Sequence, residues 1–427
     1  MSLNKHEIKK NVPKLRFPEF RDAWEWEEVP FGELYSYKPT NSFTRDNLNY
    51  NEGTAKNIHY GDIHTKFSTL FDIRKEIVPY INSIMPIEKY NSEGYCKEGD
   101  MIFADASEDT EGIGKSIEII RLNNEKLLSG LHTLLARQKK SKLIVGFGGH
   151  LFMSNAVRVQ IQKESQGAKV LGISATRLSN IKIWFPQNKN EQQKIADCLS
   201  SIDELITAQS QKLEALTAHK KGLMQQLFPA EGEMVPKLRF AEFRDAGEWE
   251  IKDVGDVFEV TRGNVLAMSL VKENSNSEYQ YPVYSSQTKN DGLAGFYDDF
   301  LFEDAITWTT DGANAGEVNY RAGKFYCTNV CGVLINLNGY ANPCIAALIN
   351  SVSKKHVSYV GNPKLMNGVM SKIEIPIPSL PEQQKIADCL SSIDELITAQ
   401  SQKLEALTVH KKGLMQQLFP NIKEQII

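Results

Sequence analysis

Between residues 191 and 227, apolar side chains recur at alternating spacings of four and three. Ile195, Ile202, Gln209, Leu216 and Leu223 fall on one heptad position and Leu199, Ile206, Leu213, Lys220 and Leu227 on the next. Eight of these ten are apolar, which predicts a coiled-coil helix. Residues 382–420 repeat 191–229 with one change, Val409 for Ala218. The second seam is therefore Ile386, Leu390, Ile393, Ile397, Gln400, Leu404, Leu407 and Lys411. Asn190 is expected to cap the first helix, with Gln193 at the capping-box position, and Pro381 to open the second. Pro229 and Pro420 end the pattern, and Gly222 and Gly413 are expected to fray or bend the last turns.

An apolar stripe must be covered, either by a separate globular domain or by the near-identical second helix. The polar layers decide the orientation of a helix pair. A parallel pair sets Lys220 against Lys411, a buried like-charge contact. An antiparallel pair centred between Leu213 and Leu216 sets Gln209 against Lys411 and Lys220 against Gln400, with Ile202 on Leu418 and Ile206 on Leu414. The expected rod from Ile195 to Leu227 is about 48 Å long at about 1.5 Å per residue. Antiparallel pairing of duplicated units further implies pseudo-two-fold symmetry. The rod length is comparable with one to one and a half turns of B-DNA, whose half-sites repeat at roughly 34–36 Å.

A shorter segment is also duplicated: VPKLRFPEFRDAWEWE at 12–27 and VPKLRFAEFRDAGEWE at 235–250. Between these shared pieces lie two dissimilar inserts, the first being the longer. The expected organisation is a frame segment at 1–29, a domain at 30–187, and a helix with linker at 188–234. A second frame segment at 235–254, domain at 255–380 and helix at 381–427 follow. Strand-like runs in the inserts include LIVGF (143–147), IKIWFP (181–186), AITWTT (305–310), VCGVLINL (330–337) and IEIPIP (373–378). Both inserts read as mixed α/β and close on a strand and proline just before the long helix. The fold class is therefore α+β: two α/β domains separated by a pair of long antiparallel helices.

Composition is that of a globular protein, with 41% hydrophobic and 24% charged residues and a net charge of −4. No signal peptide and no membrane-length apolar run is apparent, so no membrane partner is expected. Six cysteines include Cys198 and Cys389 at one repeat position, expected to be free buried thiols, and Cys327 with Cys331, which lack a second ligand pair for zinc. A reduced, cytoplasmic protein is expected.

Charge is unevenly placed. From Lys126 to Asn190 there is one acid, Glu164, against eleven Lys and Arg; from Val318 to Ile373 there is none against six. Acid-poor, cationic surfaces suit a polyanion. The phosphate-binding candidates are Arg137, Lys139, Lys140, Lys142, Arg158 and Arg177 in the first insert and Lys289, Lys354, Lys355 and Lys364 in the second. Base reading calls for amides and guanidinium groups. These occur in the polar loops SATRLSN (174–180), SSQTKN (285–290), TTDGANAG (309–316) and GNPKLMNG (361–368), with Gln287 and Asn314 as candidates.

Catalytic signatures are missing. GIGKS at 112–116 lacks the first glycine of a phosphate loop, because Asp109 stands there. His59 and His64 form no metal-ligand pattern, and there is neither a nucleophile elbow nor an amino-methyltransferase motif. No catalytic residue, metal or cofactor is expected in this chain.

The two EQQKIADCLSSIDELITAQSQKLEAL helices, the repeated PKLRF…EWE segments and the dissimilar inserts resemble the specificity subunit of a type I restriction-modification system, over essentially the whole chain. The resemblance implies two target recognition domains, each reading half of an asymmetric bipartite site in double-stranded DNA. It implies helices that set the gap and dock two adenine-N6 methyltransferase subunits, with restriction/translocase subunits joining that core. S-adenosylmethionine, ATP and Mg would belong to those partners. The competing readings are a coiled-coil adaptor presenting two unlike protein-binding domains, which the acid-poor halves disfavour, and an enzyme fused to a specificity module, which the missing motifs disfavour.

Overall fold

The computed structural model describes residues 11–286 and 290–420. The chain forms two compact units, Met1–Ala208 with Leu404–Ile427 and Gln209–Lys403. Each unit thus takes one insert, the first part of one long helix and the last part of the other. The long helices are Lys189–Leu227 and Leu380–Leu418, 39 residues each, and both run uninterrupted through Gly222 and Gly413. Their starts differ from expectation. Asn188 accepts from the Asn190 amide at 2.9 Å and so takes the capping role expected of Asn190. Pro381 is the second helical residue rather than the first.

In unit 1 the central sheet has five strands in the order Tyr35–Lys38, Thr133–Gln138, Met101–Ala104, Ser116–Arg121, Leu70–Asp72. Only the last pair is parallel. Strand alternation sends Met101 and Phe103 into one apolar core and Ile102 and Ala104 into another, so both faces of this sheet are covered. A second, four-stranded sheet carries Leu127–Ser129, Lys56–Ile58, Tyr80–Ile81 and Leu48–Asn49. The run LIVGF is not a strand. Gly146, at φ +94°, turns the chain into the helix Phe147–Met153.

In unit 2 a six-stranded sheet runs Glu259–Arg262, Cys331–Ile335, Phe302–Thr309, Val318–Cys327, Tyr281–Tyr284, Leu293–Tyr297. Ile306, Trp308 and Leu334 face one core, while Ala305 and Val333 face the other. Gly332 is required under Trp308, because a Cβ there would lie 2.1 Å from the indole. All six cysteines are free thiols, Cys198 and Cys389 being half-buried rather than buried.

The duplicated frame folds the same way in each unit. Glu27–Pro30 pairs antiparallel with Lys182–Phe185, and Glu250–Asp253 with Glu374–Ile377. Gln192 and Gln383, both fully buried, donate to the carbonyls of Pro186 and Pro378 and seal the strand-to-helix turn. The Leu15 amide donates to Gln417 O, and in unit 2 the Leu238 amide donates to Gln226 O. A pair of buried arginine–glutamate bridges, Arg16–Glu191 and Arg239–Glu382, ties each frame segment to the start of a long helix.

Every seam position named from the heptads is buried or half-buried. In unit 2, as the first helix advances from Gln209 to Lys220, its partners recede from Gln400 to Asp394, so the helices are antiparallel there. The register differs from the expected one. Gln209 meets Gln400, not Lys411, and Lys220 meets Asp394, not Gln400. In unit 1, Lys411 bonds Asp203. The reason is chemical: amide against amide satisfies donor with acceptor, and each lysine reaches a carboxylate outside the apolar stripe.

Candidate nucleic-acid interface

Folding rearranges the charge asymmetry seen along the chain. Arg137, in the strand Thr133–Gln138, donates from Nε and Nη2 to the two oxygens of buried Asp100 at 2.8 and 2.7 Å and is itself largely covered. Lys142 is paired with Glu27, and Lys139 donates to Gly32 O at 2.5 Å. Arg158 is buried, bonded to Glu111 O, and Arg177 pairs with Glu164 at 3.3 Å. In unit 2, Lys355 pairs with Glu231 at 2.7 Å and Lys364 lies 3.7 Å from Asp311. The acid-poor segments therefore fold back onto the acidic ones. Arg137 and Arg158 are thus committed to contacts within the unit, with little of either side chain exposed. Lys140 and Lys354 stay exposed and form no ion pair among the described residues. Gln287 and Lys289 lie outside the described residues.

Of the polar loops, SATRLSN is instead the helix Ala175–Asn180, with Ser174 accepting from the Arg177 amide. The loops TTDGANAG and GNPKLMNG are brought together. Gly312 N donates to Pro363 O at 3.0 Å, and Leu365 N donates to Thr310 O at 2.9 Å. Trp308 Nε1 donates to Leu365 O at 2.9 Å, anchoring the second loop to the core. Ser358 and Lys364 exchange two backbone bonds of 2.9 Å and close a hairpin. Asn314 is half-buried in the neighbouring turn.

Unit 1 contains the same construction in unrelated residues. Gln166 and Gly172 exchange bonds of 3.0 and 2.7 Å, and Ile173 N donates to Asp105 O at 2.9 Å. Here too a seven-residue hairpin lies along the turn that follows a central strand. No motif marks it, since the two hairpins share no residue at any matched position. A common signal does exist, a polar, Gly-containing stretch between buried apolar residues.

A second exposed surface of unit 1 also escaped sequence reasoning. Arg45 grips Asp62 with two bonds of 2.6 and 2.9 Å, and Lys66 joins at 3.1 Å. Burial opposes the Asp62 charge, but these cations outweigh it and hold its pKa below the usual carboxylate value. Lys66 also donates to Tyr50 OH at 3.2 Å. Tyr60 lies among His59, His64 and His132, with ring centroids 4.7 to 6.0 Å away. Burial, then Arg45, pushes the His59 pKa down to about 4, so this ring is neutral. Such a cationic and aromatic surface offers donors to phosphates and faces to bases. No cluster of metal-ligating side chains occurs among the described residues, and none of their helices is long and apolar enough to cross a membrane.

A family model, the type I restriction modification DNA specificity domain, matches residues 24–218 and again 246–409. A protein of Mycoplasma pneumoniae, provisionally named a type I specificity subunit, is 35% identical over 171 residues, covering 39% of this chain and 55% of that relative. The match thus spans about half of that relative's length. A second, from Methanocaldococcus jannaschii, provisionally named a type I restriction enzyme specificity subunit, is 25% identical over 437 residues, 96% of either chain. The crystal structure of the S subunit of a type I restriction-modification system from M. genitalium covers 96% of this chain and 99% of its own, with a TM-score of 0.64 at 17% identity, so the fold is shared.

Proposed function

The chain belongs to the type I restriction modification DNA specificity family, and on that premise we propose that each of its units reads one half of a bipartite, asymmetric site in double-stranded DNA. The chain is a non-catalytic, sequence-recognising subunit of a restriction-modification system. The observation that carries the finer reading is a specificity domain occurring twice, in one nearly identical frame around two dissimilar inserts. Unlike half-sites need unlike readers, whereas two copies of one partner need two equivalent docking surfaces. The equivalent frame contacts in both units support such twin surfaces for two adenine-N6 methyltransferase subunits, with restriction/translocase subunits completing the complex. S-adenosylmethionine, ATP and Mg act on those partners, and this chain supplies DNA recognition and spacing. The antiparallel helices act as the spacer, a role supported by their repeat-equivalent polar pairs.

Methylome sequencing of cells expressing this chain with its modification partner tests the reading. The expected result is a split adenine motif with a fixed gap. Exchanging residues 255–380 for another insert should alter one half only, and adding a heptad to both helices should alter only the gap. A partnered chain that creates no new methylated motif overturns the proposal.

A further inference from the structure

The element that most resembles a base reader is the hairpin 358–364 of unit 2. Its base is rigid. Val357 and Leu365 are buried on either side, and the loop between is closed by the Ser358–Lys364 bond pair and fastened to the turn at residues 310–312. Its tip is open: Tyr359 is 70% and Val360 91% exposed, and Asn362 is exposed beside them. An apolar tip this far into solvent contributes nothing to the core, so its side chains are available to a ligand.

The counterpart in unit 1, hairpin 166–172, carries the same backbone bonds. Its tip bears Lys169 and Val170, the latter 57% exposed. Gly167, at φ +133°, closes it, and a Cβ there would meet Val170 O at 1.9 Å. The backbone construction is thus held constant while every matched side chain differs. That combination suits an element whose position must be fixed and whose target must vary.

We propose that these hairpins enter a groove of the DNA and select bases, with Tyr359 and Asn362 contacting the half-site read by unit 2. The proposal rests on the family reading and adds the residues that carry specificity. A two-stranded ribbon fits the major groove, which is about 12 Å wide. The Asn362 amide supplies the donor and acceptor that adenine presents a match for, and Val360 and the Tyr359 ring suit a thymine methyl. Lys354, one short turn before the hairpin, is placed to position a phosphate.

The test uses the full chain with its modification subunit and a pool of duplexes randomised at both half-sites, enriched by binding and sequenced. Tyr359→Ala with Asn362→Ala is compared with wild type and with Leu337→Ala, an exposed control on the same unit. The expected result is at least about tenfold weaker preference at one or two base pairs of a single half-site. The other half-site, the gap and the Leu337→Ala motif should be unchanged. A double variant that selects the wild-type motif overturns the assignment. Should that variant misfold, a benzophenone side chain placed at position 359 must cross-link to a bound duplex, and binding without a cross-link overturns the proposal equally. Failure of the wild type itself to select any sequence would instead remove the underlying DNA reading.

Discussion

Arg16 donates from Nε and Nη2 to the two carboxylate oxygens of Glu191, both at 2.7 Å, across 175 residues of chain. Arg239 repeats the clasp on Glu382 at 2.7 and 2.8 Å. The partners come from the two duplicated segments, which explains why PKLRF and EQQKIA persist together. Trp26 Nε1 adds a third bond to Glu191, whereas Trp249 Nε1 in unit 2 is buried without a partner among the described residues. Arg16→Met should therefore strand a buried carboxylate and cost about 3–5 kcal/mol. Arg16→Met combined with Glu191→Leu should recover much of that loss. Urea unfolding of both variants measures it, and a double variant no better than the single one would contradict the account.

Arg137 and Lys140 lie three residues apart but should behave oppositely. Arg137→Ala leaves Asp100, which is 1% exposed, without its guanidinium, so folding stability should fall by about 3 kcal/mol or more. Lys140→Ala should leave stability within about 0.5 kcal/mol. If Lys140 meets a phosphate, its removal lowers the slope of log affinity against log salt by about 1 without altering the preferred sequence. Thermal melts and salt titrations of DNA binding check both arms.

The helices were legible because an apolar pattern sustained over more than four heptads is a local signal, and the antiparallel sense seen in unit 2 followed from charge. Their register was not, because Lys220 and Lys411 reach sideways to Asp394 and Asp203, residues outside the seam. The strand that closes each insert, Lys182–Phe185 or Glu374–Ile377, was legible from alternation and its terminal proline, whereas its partner, Glu27–Pro30 or Glu250–Asp253, was not. LIVGF was not, because its last residue begins a helix after a left-handed glycine. Charge along the sequence overstated the cationic surface, since Arg137 and Lys142 find acids 37 and 115 residues away. Half of hairpin 358–364 lay within the polar loop GNPKLMNG, but neither hairpin was legible as a hairpin, because its identity lies in backbone bonds that no side chain announces.

Gln209 is the one polar residue of its seam that is buried, and it bonds Gln400. Replacing both by leucine should leave thermal stability unchanged or raise it, because an amide pair becomes an apolar layer. The same change should loosen the register, detectable as additional gap lengths in the methylated motif. Lys411→Ala, by contrast, removes a partly exposed ion pair and should cost less than about 1 kcal/mol. Retention of a single gap by the leucine pair would show that register is set elsewhere.

Glu118 gives unit 1 a pH response of unusual sign. It is buried beneath Gly149, whose amide donates to it at 2.6 Å. Burial, only partly offset by the Gly149 and Gly146 amides, raises its pKa from 4.5 to about 7. The folded chain therefore binds a proton more tightly than the unfolded one. The resulting stability is full below pH 4.5 and is lost as pH rises through 7, with a span on the order of 3 kcal/mol. His150 and His59 act oppositely. Burial lowers their pKa values from 6.5 to about 3 and about 4, so stability falls as pH drops through 6.5. Glu118→Gln removes the first effect and leaves the second. Between pH 8 and pH 5.5 the variant's urea midpoint should fall relative to wild type, with the variant the more stable of the two at pH 8. Parallel pH profiles for the two proteins would show that Glu118 does not titrate in this range.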